Sequence, residues 1–127
     1  MGTYLHVYIE SKKEISKEEG EKFLNNLVAQ GSTFIGDWDL KKEENILCSF
    51  GKAIKNYQEN VTYIFNFKYE GVAFYISLKE KQVFLGVNSF FIHNDEKTKK
   101  IAYEIVSKIK TLAEKYFGIK SINEVIE

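Results

Sequence analysis

The sequence predicts an α+β fold: an antiparallel sheet of about four to six strands in β-α-β-β-β-β-α order, with two main helices packed on one face. Three observations carry this. Residues 61–92 read as three alternating runs joined by two tight turns. Residues 3–10 alternate in the same way, and two segments, 17–30 and 96–117, repeat apolar residues at helical spacing.

The first run puts Leu5, Val7 and Ile9 on one side and Tyr4, His6 and Tyr8 on the other, as the two-residue period of a strand requires. Ser16 and Glu19 then form a capping box for a helix over 17–30. Its stripe is Phe23, Leu24, Leu27 and Val28, and Gly31 ends it. Thr33 to Trp38 reads as a short strand. Residues 39–58 admit two readings. Ile46, Phe50, Ile54 and Tyr57 have helical spacing, whereas Ile46 to Phe50 also suits a short strand followed by a helix over 52–58. The second reading is preferred.

In the central stretch, Glu70-Gly71 sits between two alternating runs, a hairpin signal because Gly accepts positive φ. That turn sets Tyr69 opposite Val72, Phe67 opposite Phe74, Phe65 opposite Ile76 and Tyr63 opposite Leu78. A second turn at Glu80-Lys81 sets Leu78 opposite Val83, Ile76 opposite Leu85 and Phe74 opposite Val87, in a third strand that runs to Ile92. Every pair is apolar on both sides, and a slip of one residue would destroy the match. This side, face A, is the expected core side, joined by Leu5, Val7 and Ile9.

His93 to Glu96 reads as a polar turn with Asp95 as a cap. The second long helix follows, with the stripe Ile101, Ile105, Ile109, Leu112 and Tyr116. Ser121 and Glu124 suggest another capping box, opening a short C-terminal helix. The element order resembles folds of the TATA-binding-protein type or a shortened helix-grip. The likeness is one of order alone and implies no activity.

A length of 127 residues fits one α+β domain over 1–127. Acidic and basic residues balance at 18 each, and every basic residue is Lys. Without Arg or net positive charge, nucleic acid is a poor partner. Cys48 is the single cysteine, which suits a cytoplasmic protein, and no apolar run is long enough to expect a membrane segment.

The candidate chemistries are few. His6 and His93 are the only histidines and show no metal-ligand spacing, so no metal or other cofactor is expected. Cys48 has no local partner for nucleophilic catalysis and reads as a small hydrophobe. Lys97, Lys99 and Lys100 crowd a helix start beside Asp95 and Glu96, which reads as a solvated cluster. Asp37-Trp38-Asp39 places two acids around a large ring, a possible acidic edge, although turn and cap roles suit them as well.

The sharpest candidate is the other side of the sheet, face B: Tyr4, His6, Tyr8, Asn66, Tyr75, Phe84, Asn88 and Phe90. Either this face is open as a binding surface, or residues 39–58 or the C-terminal segment cover it as a second core layer. The expectation is a small non-enzymatic binding module that uses this face for a protein partner or self-association. The alternative is a small-molecule binding protein or enzyme with its pocket between the sheet and the C-terminal helix.

Overall fold

The computed structural model describes residues 4–39, 44–46, 49–58, 63–88 and 96–126. The elements in chain order are β1 (Tyr4–Ser11), α1 (Lys17–Ala29), β2 (Thr33–Asp39), β3 (Glu44–Ile46), α2 (Phe50–Asn56), β4 (Ile64–Tyr69), β5 (Val72–Lys79), β6 (Gln82–Asn88), α3 (Glu96–Tyr116) and β7 (Ile119–Ile126). The strands form one seven-stranded antiparallel sheet in the order β3-β2-β4-β5-β6-β1-β7. The α+β class stands as expected.

The central register is the predicted one. Phe67 pairs with Phe74, Phe65 with Ile76, Ile76 with Leu85 and Leu78 with Val83. The chain closes the first hairpin with φ of 50° at Glu70 and 84° at Gly71. Two successive positive φ values give the turn whose twist matches that of the flanking strands. β1 then docks antiparallel on β6, so that Val7 meets Leu85 and Ile9 meets Val83. Leu5, Val7 and Ile9 thereby join face A, and all three are buried.

The helices cover face A. Phe23, Leu24 and Leu27 of α1 and Ile105, Ile109 and Leu112 of α3 are buried in the same core as Phe65, Phe74, Ile76 and Leu85. Full burial of such a side chain contributes about 1.5–3 kcal/mol. Phe23 stacks on Phe117 with ring centroids 5.4 Å apart. The Asn26 amide donates a hydrogen bond to the Tyr116 hydroxyl, which joins the two helices. Helix α1 opens on the predicted cap: Ser16 Oγ accepts from the Glu19 backbone N–H at 3.1 Å. Lys13 hydrogen-bonds the Glu19 carboxylate at 2.5 Å and holds its carboxyl below the usual range.

Residues 39–58 resolve into a strand and then a helix, the preferred order, but with other bounds. Ser49 Oγ accepts from the Lys52 backbone N–H at 3.2 Å, so Ser49 is the cap and the helix starts at Phe50. The rings of this segment pack on the core side, with Phe50 against Phe34 and Phe67, and Tyr57 against Phe65.

The C-terminal segment corrects the expected short helix. Residues Ile119–Ile126 form strand β7, paired antiparallel with β1. The open side of β1 offers a full row of backbone partners, and four of the eight residues of β7 are β-branched and apolar. Ser121 and Glu124 do not cap a helix. The Ser121 hydroxyl donates to Glu10 at 3.2 Å, and Glu124 pairs with Lys110 at 2.5 Å. The third meander strand is described as far as Asn88. The expected roles of Cys48, Phe90, Ile92, His93 and Asp95 fall outside the described residues.

Two substitutions test this packing. A Cβ on Gly20 would lie 2.6 Å from the hydroxyl of Tyr57 and 3.0 Å from its ring, and Tyr57 is fully buried. Helix propensity favours Ala over Gly by about 1 kcal/mol, yet Gly20→Ala is expected to destabilise by about 1–3 kcal/mol in chemical denaturation. Conversely, Glu70→Asn relieves a left-handed φ that Asn accepts more readily. It is expected to stabilise by about 0.5–1 kcal/mol, read as a higher denaturation midpoint with an unchanged slope.

Candidate functional site

The antiparallel register sets two rows of residues across face B. The first runs Val125, His6, Gly86, Tyr75, Asn66 and Gly36 over β7, β1, β6, β5, β4 and β2. The second runs Asn123, Tyr8, Phe84, Ser77, Ile64 and Trp38 over the same strands. Where the rows adjoin at β1, β6 and β5, four rings gather. Tyr8 and Phe84 have centroids 4.8 Å apart, His6 and Phe84 5.2 Å, and Tyr75 and Phe84 5.7 Å. His6 also meets Tyr8 and Tyr75 edge-on, at 6.2 and 6.3 Å.

Gly86 makes this cluster possible. The Tyr75 ring lies across it, so a Cβ there would come within 2.2 Å of Tyr75 Cζ and 2.5 Å of its hydroxyl. With the backbone bare, the Tyr75 hydroxyl crosses β6 to reach β1. There it shares a hydrogen bond of 2.9 Å with His6 Nε2. The imidazole tautomer sets which atom donates; a protonated His6 is always the donor. Three strands are thus clasped on the side away from the helices.

His6, Tyr8, Asn66, Tyr75 and Phe84 are all half-buried. No described helix packs on this face. The cluster runs into a recess of about 490 Å³ lined by Tyr8, Glu10, Lys79, Gln82, Ser121 and Asn123, among others. Glu10 is held there by Ser121 and by Lys120, whose ammonium lies 3.6 Å from its carboxylate.

The remaining candidates are placed as follows. Tyr4 pairs with Asn88 on the backbone at the end of β1. Phe90 lies outside the described residues. Asp37, Trp38 and Asp39 are in β2, where Asp37 pairs with Phe65 and Trp38 with Ile64. Strand β4 lies between β2 and the first strand of the ring cluster, β5. Among the described residues, no group of three or more His, Cys, Asp or Glu is placed to hold a metal ion. No described helix is long and apolar enough to cross a membrane. The layer between the sheet and α3 is filled by side chains such as Ile76, Leu85, Ile105 and Ile109, each at most 1% exposed.

Sequence reasoning missed the contribution of β7. Ser121 and Asn123 line the recess, and Val125 extends the first row beside His6. The alternation of Ser121, Asn123 and Val125 was visible, but the capping-box pattern masked it. No protein-family model, curated protein or solved structure matches this chain.

The Tyr75–Gly86 contact is open to a direct test. The far end of the Tyr75 side chain is the atom group that must yield, so Gly86→Ala is expected to displace the ring rather than break the sheet. The His6 hydrogen bond is then lost, at a cost of about 1 kcal/mol. The check is a changed His6 ring signal and near-ultraviolet tyrosine dichroism, with far-ultraviolet dichroism unchanged.

Proposed function

We propose that this protein is a small non-enzymatic binding module that presents its tyrosine-bearing sheet face to a protein partner or to a second copy of itself. The observation that carries the reading is the cluster of His6, Tyr8, Tyr75 and Phe84 on the face opposite the helices. Half-buried aromatic residues with polar tips are the residue type enriched at protein interfaces, because one end is apolar and the other hydrogen-bonds. Mutual ring contacts and the Tyr75–His6 bond hold the side chains in place, which lowers the entropy lost on binding.

A surface partner fits better than a small molecule enclosed between the sheet and α3, because that layer is filled. The balanced charge and the lack of Arg weigh against nucleic acid. A single cysteine fits a reducing compartment, and the proposal takes the protein as cytoplasmic.

The test compares the wild type with Tyr75→Asp and with Tyr103→Asp, which changes an exposed ring on α3 at 41% exposure. Both variants should fold. In affinity capture and sedimentation equilibrium, Tyr75→Asp is expected to lose partners or self-association that Tyr103→Asp retains. A Tyr75→Asp variant that folds and still binds everything the wild type binds overturns the proposal.

A further inference from the structure

The register sets a third row across face B, beside the row that holds Tyr8 and Phe84. It runs Ser121, Glu10, Gln82 and Lys79 over β7, β1, β6 and β5, and every member is polar. With Tyr8 and Asn123 of the neighbouring row, it lines the recess of about 490 Å³. That volume lies within the range of about 300–1,000 Å³ usual for small-molecule sites. One rim is the Glu80-Lys81 turn, whose carbonyls accept from the backbone N–H groups of Ile15 and Ser11, both at 2.8 Å. Four paired strands and an anchored turn form the rigid frame that a preorganised site requires.

The side chains of the recess divide into held and uncommitted groups. Ser121 donates to one Glu10 oxygen at 3.2 Å, and Lys120 lies 3.6 Å from the other, which orients the carboxylate. A carboxylate has about four lone-pair sites, so Glu10 keeps acceptor capacity on both oxygens. Lys79, Gln82 and Asn123 make no side-chain hydrogen bond or ion pair among the described residues. The two carboxamides each offer a donor beside an acceptor. Tyr8 supplies an aromatic wall, braced by Phe84 at 4.8 Å between centroids. The charged lining residues balance, Glu10 and Glu80 against Lys79 and Lys81, so no net field selects an ion.

We propose that this recess binds the pyranose ring of a neutral sugar, as a single unit or at the end of a glycan. Adjacent sugar hydroxyls both donate and accept, which matches the Gln82 and Asn123 carboxamides and the pairing of an acceptor, Glu10, with a donor, Lys79. The C–H-lined face of the ring is apolar and suits an aromatic wall, whose face carries negative charge. An apolar ligand would strip water from the polar row without replacing its hydrogen bonds. The recess adds to the protein-binding reading of the tyrosine face and does not rest on it.

The experiment titrates the full chain alone with the methyl glycosides of glucose, galactose and mannose, followed by backbone amide shifts in nuclear magnetic resonance. A single ring with few hydrogen bonds is expected to bind at about 1 mM, so the titration runs to about 50 mM. At least one of the three sugars is expected to give saturable shifts at Gln82, Ser121 and Asn123. Gln82→Ala and Asn123→Ala are each expected to weaken binding by about fivefold or more, whereas Tyr103→Asp leaves it unchanged. Both alanine variants alter exposed side chains and should fold, which dichroism checks. Tighter binding of maltotriose than of methyl glucoside assigns the site to a glycan end, and equal binding assigns it to a single sugar unit. The absence of saturable shifts with all three glycosides overturns the proposal. So does binding that is indifferent to both alanine variants, or binding of glucuronate or glucosamine in place of the neutral sugars. The titration contains no protein partner, so its result is separate from partner capture by the tyrosine face.

Discussion

The two tight turns at Glu70-Gly71 and Glu80-Lys81 hold the constraint on which the rest of the molecule depends. They lock β4, β5 and β6 into a register in which every inward pair is apolar. Because side chains alternate with a period of two, that one choice also decides which residues face the other way. The core under α1 and α3 and the ring cluster opposite are therefore two products of a single register. The second turn is anchored from outside the hairpin as well. The backbone N–H groups of Ser11 and Ile15 donate to the carbonyls of Lys81 and Glu80, both at 2.8 Å. The connection between β1 and α1 thus ties the hairpin to the first strand.

On face B the physics differs from that of the core. No second layer of described residues buries the rings, so they gain by covering one another and by satisfying their own polar tips. The Tyr75 hydroxyl and the His6 imidazole complete each other at 2.9 Å. The contact spans β6 only because Gly86 lacks a side chain. A residue with no side chain thereby governs the geometry of three that have large ones. The proposed recognition surface is thus held by ring contacts and one hydrogen bond, whereas face A is held by burial under the helices.

Much of this was legible in local patterns. Alternation revealed β1, β4, β5 and β6, turn chemistry revealed their register, and Ser16 with Glu19 marked the start of α1. Counting across the two turns also sets Tyr75 opposite Gly86, and they do pair. Local pattern misled where it competed with an open sheet edge. Ser121 and Glu124 carry a helix-start signature, but β1 had backbone groups to satisfy on its far side and drew Ile119–Ile126 into the sheet. In residues 39–58, the short apolar run gave no clear period, and the cap at Ser49 decided the helix start.

By itself, then, the amino-acid order determined the period of each strong element, the pairing inside the meander and the division of its residues between two faces. These are short-range matters, fixed by turn geometry and side-chain alternation. Tertiary structure alone decided where β1 inserts, and that His6 comes to Tyr75 across 69 positions of sequence. It also decided that the last segment closes an edge rather than a core. Such outcomes depend on competition between distant segments for the same buried surface and the same backbone partners, and no local pattern records who wins.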